Sequence, residues 1–201
     1  MTQPTPLKFL GIAGSLRRAS YNRALLAAAR ELCPGGVTLD IFDLAPLPLY
    51  DQDIDTEAAP PAVQAFRDAL WSADALLIST PEYNHGVPGV LKNALDWASR
   101  PPQHQPLSGL PVAIMGASPY TWGTARAQAH LRQTLVFPSA LVLSQPEVLV
   151  ANATGKFDAE GHLVDEATRT FVHGLLVALA AWTHRVGRPP VTTEQANLTP
   201  A

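Results

Sequence analysis

Apolar residues recur along the chain in two alternating rhythms. Leu7 to Ala13 (LKFLGIA) is a short apolar run closed by Gly14-Ser15, and Leu25, Ala29 and Leu32 then recur at helical spacing just after Ser20, a helix-capping residue type. That pattern predicts strand, loop, helix. Cys33-Pro34-Gly35-Gly36 stops the helix, and Val37 to Phe42 alternates as a second strand before a loop rich in Asp and Pro. Beyond Pro60-Pro61, Val63, Phe66 and Leu70 share one helical face, and Ala73 to Thr80 (ADALLIST) is continuous enough in apolar residues for a central strand buried on both sides. Gly89 to Ala98 predicts a third helix with Pro88 in its first turn, Pro111 to Gly116 a fourth strand, and Thr124 to Leu135 a fourth helix. Ala140 to Leu143 and Val148 to Val150 read as two pieces of a fifth strand. Val172, Leu175, Leu176, Leu179 and Trp182 stripe a last helix.

Strict alternation of strand and helix predicts an α/β fold: an open parallel five-stranded sheet with helices on both faces, of which the flavodoxin-like order 2-1-3-4-5 is the leading candidate. One domain is expected over 1–188, with a flexible tail over 189–201. In such sheets ligands bind beyond the carboxyl ends of the strands. The informative loops are therefore the first, Gly14 to Asn22, the second, Pro81 to Val87, and the third, Ala117 to Gly123.

Composition narrows the function classes. Across 201 residues Lys+Arg 14 against Asp+Glu 17 leaves a net charge of −3, which argues against nucleic acid as a partner. A hydrophobic share of 47% supports a sizeable core. The single Cys33 forms no internal disulfide and points to a reducing compartment, with cytoplasm as the default; beside a Pro-Gly stop and without an adjacent base it reads as structural. Met1 to Pro6 is polar and no apolar run reaches about 18 residues, so neither secretion nor membrane insertion is expected.

The loops carry the chemistry. The first places Ser15, Arg17, Arg18, Ser20 and Asn22 at the start of a helix, where backbone N–H groups, the helix dipole, hydroxyls and a bidentate guanidinium all suit a phosphate. The competing reading is a capped helix with solvated arginines. Neither GxGxxG nor GxxxxGK[ST] occurs. The second loop, with Pro81, Glu82, Tyr83, Asn84 and His85, has the stiffness and edge donors to lie along a planar heteroaromatic ring, or is simply a rigid turn whose Tyr83 packs on a neighbour. The third offers Ser118 and small residues for close approach, with Tyr120 and Trp122 either covering a ring or forming an interface. His85 alone is weak evidence for acid-base work, and no metal-ligand spacing appears.

Taken in order, GSLRRASYN, PEYNHGVPGVLKNALDW and GAS…ARAQAHLRQ resemble the NADPH-dependent FMN reductase family, over roughly Leu7 to Val150. That resemblance implies a flavodoxin-like, FMN-dependent NAD(P)H oxidoreductase passing a hydride from NADPH or NADH through FMN to a small-molecule acceptor such as a quinone, free flavin, azo compound or chromate. It implies that Ser15, Arg17, Ser20 and Asn22 hold the FMN phosphate, that Pro81, Glu82, Tyr83 and Asn84 line the isoalloxazine, partly through backbone N–H groups, and that Ser118 closes the other edge. It also implies a homodimer or homotetramer, with no side chain acting as nucleophile or general base. Arg18, Arg100 and Arg126 are the candidates for a nicotinamide 2′-phosphate. The rival readings are a flavodoxin-type electron carrier, against which the mild charge argues, and a flavin-free interaction module.

Overall fold

A computed structural model describes residues 5–56 and 58–187, so the expected tail at 189–201 lies outside the described residues. Its elements are β1 (Leu7–Ala13), α1 (Tyr21–Glu31), β2 (Val37–Phe42), α2 (Pro61–Trp71), β3 (Ala75–Ser79), α3 (Gly89–Ala98), β4 (Pro111–Ala117), α4 (Ala125–Thr134), β5 (Leu141–Val142), β6 (Val148–Val150) and α5 (Glu166–Val186). The strands pair in parallel in the order β2-β1-β3-β4-β5, as expected, with β6 also paired to β4. The fifth position is shared by two short strands. β5 pairs with the start of β4, Pro111 opposite Leu141, and β6 with its end, Met115 opposite Val148, while 143–147 leaves the sheet between them. The central strand is shorter than its apolar run, because Asp74 donates its N–H to Lys8 before β3 and Thr80 turns toward the second loop after it.

Alternation along the central strands divides the core between two faces. Phe9, Leu77, Ala113 and Met115 pack with α1 and α5, whereas Ile12, Leu76, Ile78 and Ile114 pack with α2, α3 and α4. Helix starts follow from local chemistry: Ser20 Oγ accepts the Asn22 N–H at 3.2 Å, Pro61 opens α2, and Asp165 accepts the Thr168 N–H at 2.9 Å.

The long connection at 43–60 is pinned to α3 rather than left free. Asn93 accepts the Tyr50 N–H at 2.7 Å and donates to the Pro48 carbonyl at 2.8 Å, and Trp97 Nε1 donates to the same carbonyl at 2.8 Å. Arg67 and Asp55 form an ion pair at 2.8 Å with side chains 8% and 9% exposed, so losing either partner would strand a buried charge. Among the described residues no helix is long and apolar enough to cross a membrane.

Candidate functional site

The carboxyl ends of β1, β3 and β4 bring the three loops side by side. Backbone hydrogen bonds carry the ladder across them: Gly14 N–H to Ser79, Thr80 N–H to Met115 and Ser118 N–H to Val150, each at 2.9 Å. Parallel pairing aligns the strand ends, so loops far apart in the chain share one edge.

The first loop is rich in donors. Ser15 and Ser20 are buried at 3% and 4% exposure while Arg17 lies out in solvent, its guanidinium 5.9 Å over the Tyr21 ring and in no ion pair among the described residues. The N–H groups of Leu16, Arg18, Ala19 and Tyr21 donate to no group among the described residues. Four unsatisfied donors, two hydroxyls and an unpaired guanidinium at the N-terminus of α1 fit a phosphate.

Asn22 sits differently from the other first-loop candidates. Its Oδ1 accepts from the Ala117 N–H at 2.9 Å and the Ser79 hydroxyl at 3.2 Å, and its Nδ2 donates to the Ala117 carbonyl at 2.9 Å. The side chain thus stitches α1 to the ends of β3 and β4, and its amide is engaged with the protein itself.

In the second loop, Tyr83 and Gly86 exchange backbone hydrogen bonds of 3.3 and 3.0 Å around Asn84 and His85, whose φ values of 50° and 61° both lie in the left-handed region. This tight hairpin is a geometry that costs bulky residues of order 1 kcal/mol or more each and persists only where its surroundings hold it. It presents Tyr83 outward at 51% exposure, where the phenol shares a hydrogen bond of 3.3 Å with Ser15 Oγ and so bridges the first and second loops. The N–H groups of Glu82 and Asn84 are without partners among the described residues. Pro81 is buried against Gly14, where an added Cβ would stand 3.1 Å from its Cδ.

Between this hairpin and the third loop lies a cleft of about 520 Å³, bounded by Glu82, Asn84 and His85 on one side and Ser118, Tyr120 and Trp122 on the other. Ser118 is 8% exposed, and its hydroxyl accepts the Tyr120 N–H at 3.2 Å. Trp122, 66% exposed, stacks under Arg126 at 5.4 Å. Two of the cleft's lining residues, Glu82 and Asn84, carry N–H groups without partners among the described residues, and Tyr120 and Trp122 add aromatic surface, so the residues present fit the ring of a flavin as the first loop fits its phosphate.

Glu82 and Arg126 form a link that the residue pattern did not announce. The Glu82 carboxylate accepts the Arg126 and Ala127 N–H groups of α4 at 3.0 and 3.1 Å. A detectable signal existed: Thr124 is followed three residues later by Ala127, not Glu or Gln, so α4 opens without a capping box. Elsewhere Cys33 is a structural thiol, donating toward the Ala29 carbonyl and pushed up in pKa by burial. Arg18 is exposed and Arg100 half-buried, and neither lines the cleft. Among the described residues no group of side chains could hold a metal ion.

A family model described as NADPH-dependent FMN reductase matches residues 7–155, a span that includes all three loops. The chain belongs to that family. An NAD(P)H-dependent FMN reductase of Pseudomonas aeruginosa is 51% identical over 180 residues, covering 90% of this chain and 97% of the relative. A 2-hydroxy-1,4-benzoquinone reductase of a Burkholderia species is 43% identical, covering 88% and 96%. Among solved structures, the flavoenzyme NAD(P)H:(acceptor) oxidoreductase FerB of Paracoccus denitrificans superposes with a TM-score of 0.83 at 34% identity, covering 90% of this chain and all of that one. This FMN reductase family member therefore has relatives of matching length, and the loops read from its sequence fall within the matched span.

Proposed function

We propose that the protein is an FMN-dependent NAD(P)H oxidoreductase acting on small-molecule acceptors of the quinone class. The observation that carries the reading is the first loop: free N–H groups of Leu16, Arg18, Ala19 and Tyr21, the Ser15 and Ser20 hydroxyls and an unpaired Arg17, all at one helix N-terminus. The names of the relatives support the acceptor class.

Phosphate binding falls to Ser15, Arg17, Ser20 and the loop N–H groups, with Asn22 keeping the loop in register. The Glu82 and Asn84 N–H groups meet the polar edge of the ring and Ser118 bounds the opposite side, while Tyr83 links this loop to Ser15 and the buried Pro81 fixes its entry beside Gly14. The redox chemistry belongs to FMN: uptake of hydride from a reduced nicotinamide and release of the electrons to the acceptor. The chain itself supplies preorganised N–H dipoles, which stabilise negative charge in the cleft at little reorganisation cost, and no side chain is needed as nucleophile or base.

Tyr120 and Trp122 beside the cleft, 76% and 66% exposed, and Phe137 at 79% support assembly into a homodimer or homotetramer, and the single cysteine suits the cytoplasm. The decisive experiment is fluorescence titration of apoprotein. FMN should bind far more tightly than riboflavin, which lacks the phosphate, and Arg17→Ala should cost about 1.5 to 3 kcal/mol of FMN affinity, the scale of a charged hydrogen bond. Equal affinity for FMN and riboflavin would overturn the assignment.

A further inference from the structure

Helix α4 begins without a cap of its own. Thr124 occupies the N-cap position, but its hydroxyl accepts the Gln128 Nε2 donor at 3.0 Å and makes no capping bond to the helix. The hydroxyl is held there by close approach to β4: a Cβ on Gly116 would lie 2.0 Å from it. The N–H groups of Arg126 and Ala127, the second and third positions of the helix, are capped instead by Oε2 of Glu82, which comes from 44 residues earlier and another strand end. The other oxygen of Glu82 lies 3.6 Å from Arg126 Nη1, and the Arg126 guanidinium stacks over Trp122.

The two walls of the cleft are therefore joined through one carboxylate. On one side is the hairpin with its left-handed Asn84 and His85, a conformation that needs outside support; on the other is the third loop with Trp122. Glu82 is only 10% exposed and both of its oxygens are engaged, so it does not serve as an acid or base toward a substrate.

We infer that Glu82 is a positioning residue whose side chain, by capping α4 and orienting Arg126 over Trp122, sets the width of the cleft and the presentation of the Glu82 and Asn84 N–H groups. This rests on the reading of the cleft as the site of the flavin ring and its acceptor. It predicts that loosening the link weakens binding of both more than it slows turnover at saturation.

The test compares Glu82→Ala and Glu82→Gln in the full chain. The glutamine carbonyl still accepts the two N–H groups of α4, so it keeps the cap and loses only the charge toward Arg126. In apoprotein, amide hydrogen exchange at Arg126 and Ala127 should be about tenfold faster in Glu82→Ala and near native in Glu82→Gln, as expected for loss and retention of a cap. In loaded protein, Glu82→Ala should raise the FMN dissociation constant and the KM for a benzoquinone about tenfold each with kcat changed less than about threefold, and Glu82→Gln should recover most of both.

Native exchange at both amides in Glu82→Ala would overturn the latch. Faster exchange with native FMN affinity and native KM would make Glu82 a cap for stability alone and overturn the positioning role. If Glu82→Ala does not fold, Glu82→Gln and Arg126→Leu decide: an intermediate rise in KM, about threefold, supports the role, and native KM in both overturns it. Failure of the wild-type apoprotein to take up FMN would instead overturn the reading of the site, while the exchange measurement still decides whether Glu82 holds α4.

Discussion

The Asp165 carboxylate closes the N-terminus of α5 and gives the fold an acid-sensitive point. It accepts from the Thr168 hydroxyl at 2.5 Å, from Lys156 Nζ at 2.9 Å and from the Thr168 N–H at 2.9 Å. These bonds, that of the Thr168 hydroxyl foremost, hold its carboxyl down to about 2 from the ordinary 3.8. Since the folded value lies below the ordinary one, the stabilisation is complete above the ordinary value and is lost as pH falls toward the folded one. Asp158, lowered chiefly by the His162 N–H, adds the same sign. Urea unfolding followed over pH should show stability dropping between about 4 and 2, and Asp165→Asn should be less stable at neutral pH with a shallower drop in that window. An unchanged slope would show that the cap is not titrating there. A second residue-scale test concerns Asn22: replacement by Ala leaves the Ala117 N–H and carbonyl and the Ser79 hydroxyl without this partner inside the protein. Denaturant unfolding should report a loss of about 2 to 3 kcal/mol, together with weaker FMN binding.

At the scale of elements, the approach of α4 to β4 depends on one missing methyl group. A Cβ at Gly116 would fall 2.0 Å from Thr124 Oγ1 and 2.4 Å from the Thr80 carbonyl oxygen. The second contact is with backbone and cannot be relieved by a rotamer change. Gly116→Ala should therefore destabilise by about 3 kcal/mol or more and shift α4 away from the sheet, widening the cleft beside it. Gly155→Ala, where nothing lies within 4 Å, should leave thermal stability near native and serves as the control. Similar melting temperatures for the two variants would contradict the packing described. The same contact explains why Gln128 is buried: its Nε2 joins Thr124 Oγ1 to the Val148 carbonyl at 3.0 Å each, tying α4 to the strand that completes the fifth position.

For the whole molecule, the proposed function asks one cleft to serve two substrates in turn. The space between the hairpin and the third loop is about 520 Å³, and on the proposed reading the flavin ring takes up part of it; a nicotinamide and an acceptor that stack on the same ring face exclude each other. Steady-state kinetics should be ping-pong, with parallel double-reciprocal lines at several acceptor concentrations and inhibition by excess acceptor competitive with NADPH. Intersecting lines would show a ternary complex and a second route to the ring. Light scattering over micromolar concentrations should find a closed homo-oligomer; a monomer throughout would leave Tyr120, Trp122 and Phe137 unexplained as interface residues.

The strand order, the two helical layers and the three loops that share one edge of the sheet were legible in the linear pattern, because burial on both faces demands continuous apolar runs such as Ala75 to Ser79 and helices demand stripes such as Val63, Phe66 and Leu70. Ser20 was readable as a cap since capping depends on its immediate neighbours alone. The split of the fifth strand showed as two separate apolar pieces. What the linear pattern did not contain were the partners of polar groups brought together across long separations. Asn22 bonds to Ala117, 95 residues away, and Glu82 caps a helix that starts after the next strand. Most buried amides and carboxylates are paired, and their partners are whatever groups the fold delivers. Residue type therefore marked Asn22 and Glu82 as polar groups in loops at the strand ends, and only the tertiary structure decided that Asn22 ties α1 to β3 and β4 and that Glu82 caps α4, because their partners lie far away in the chain.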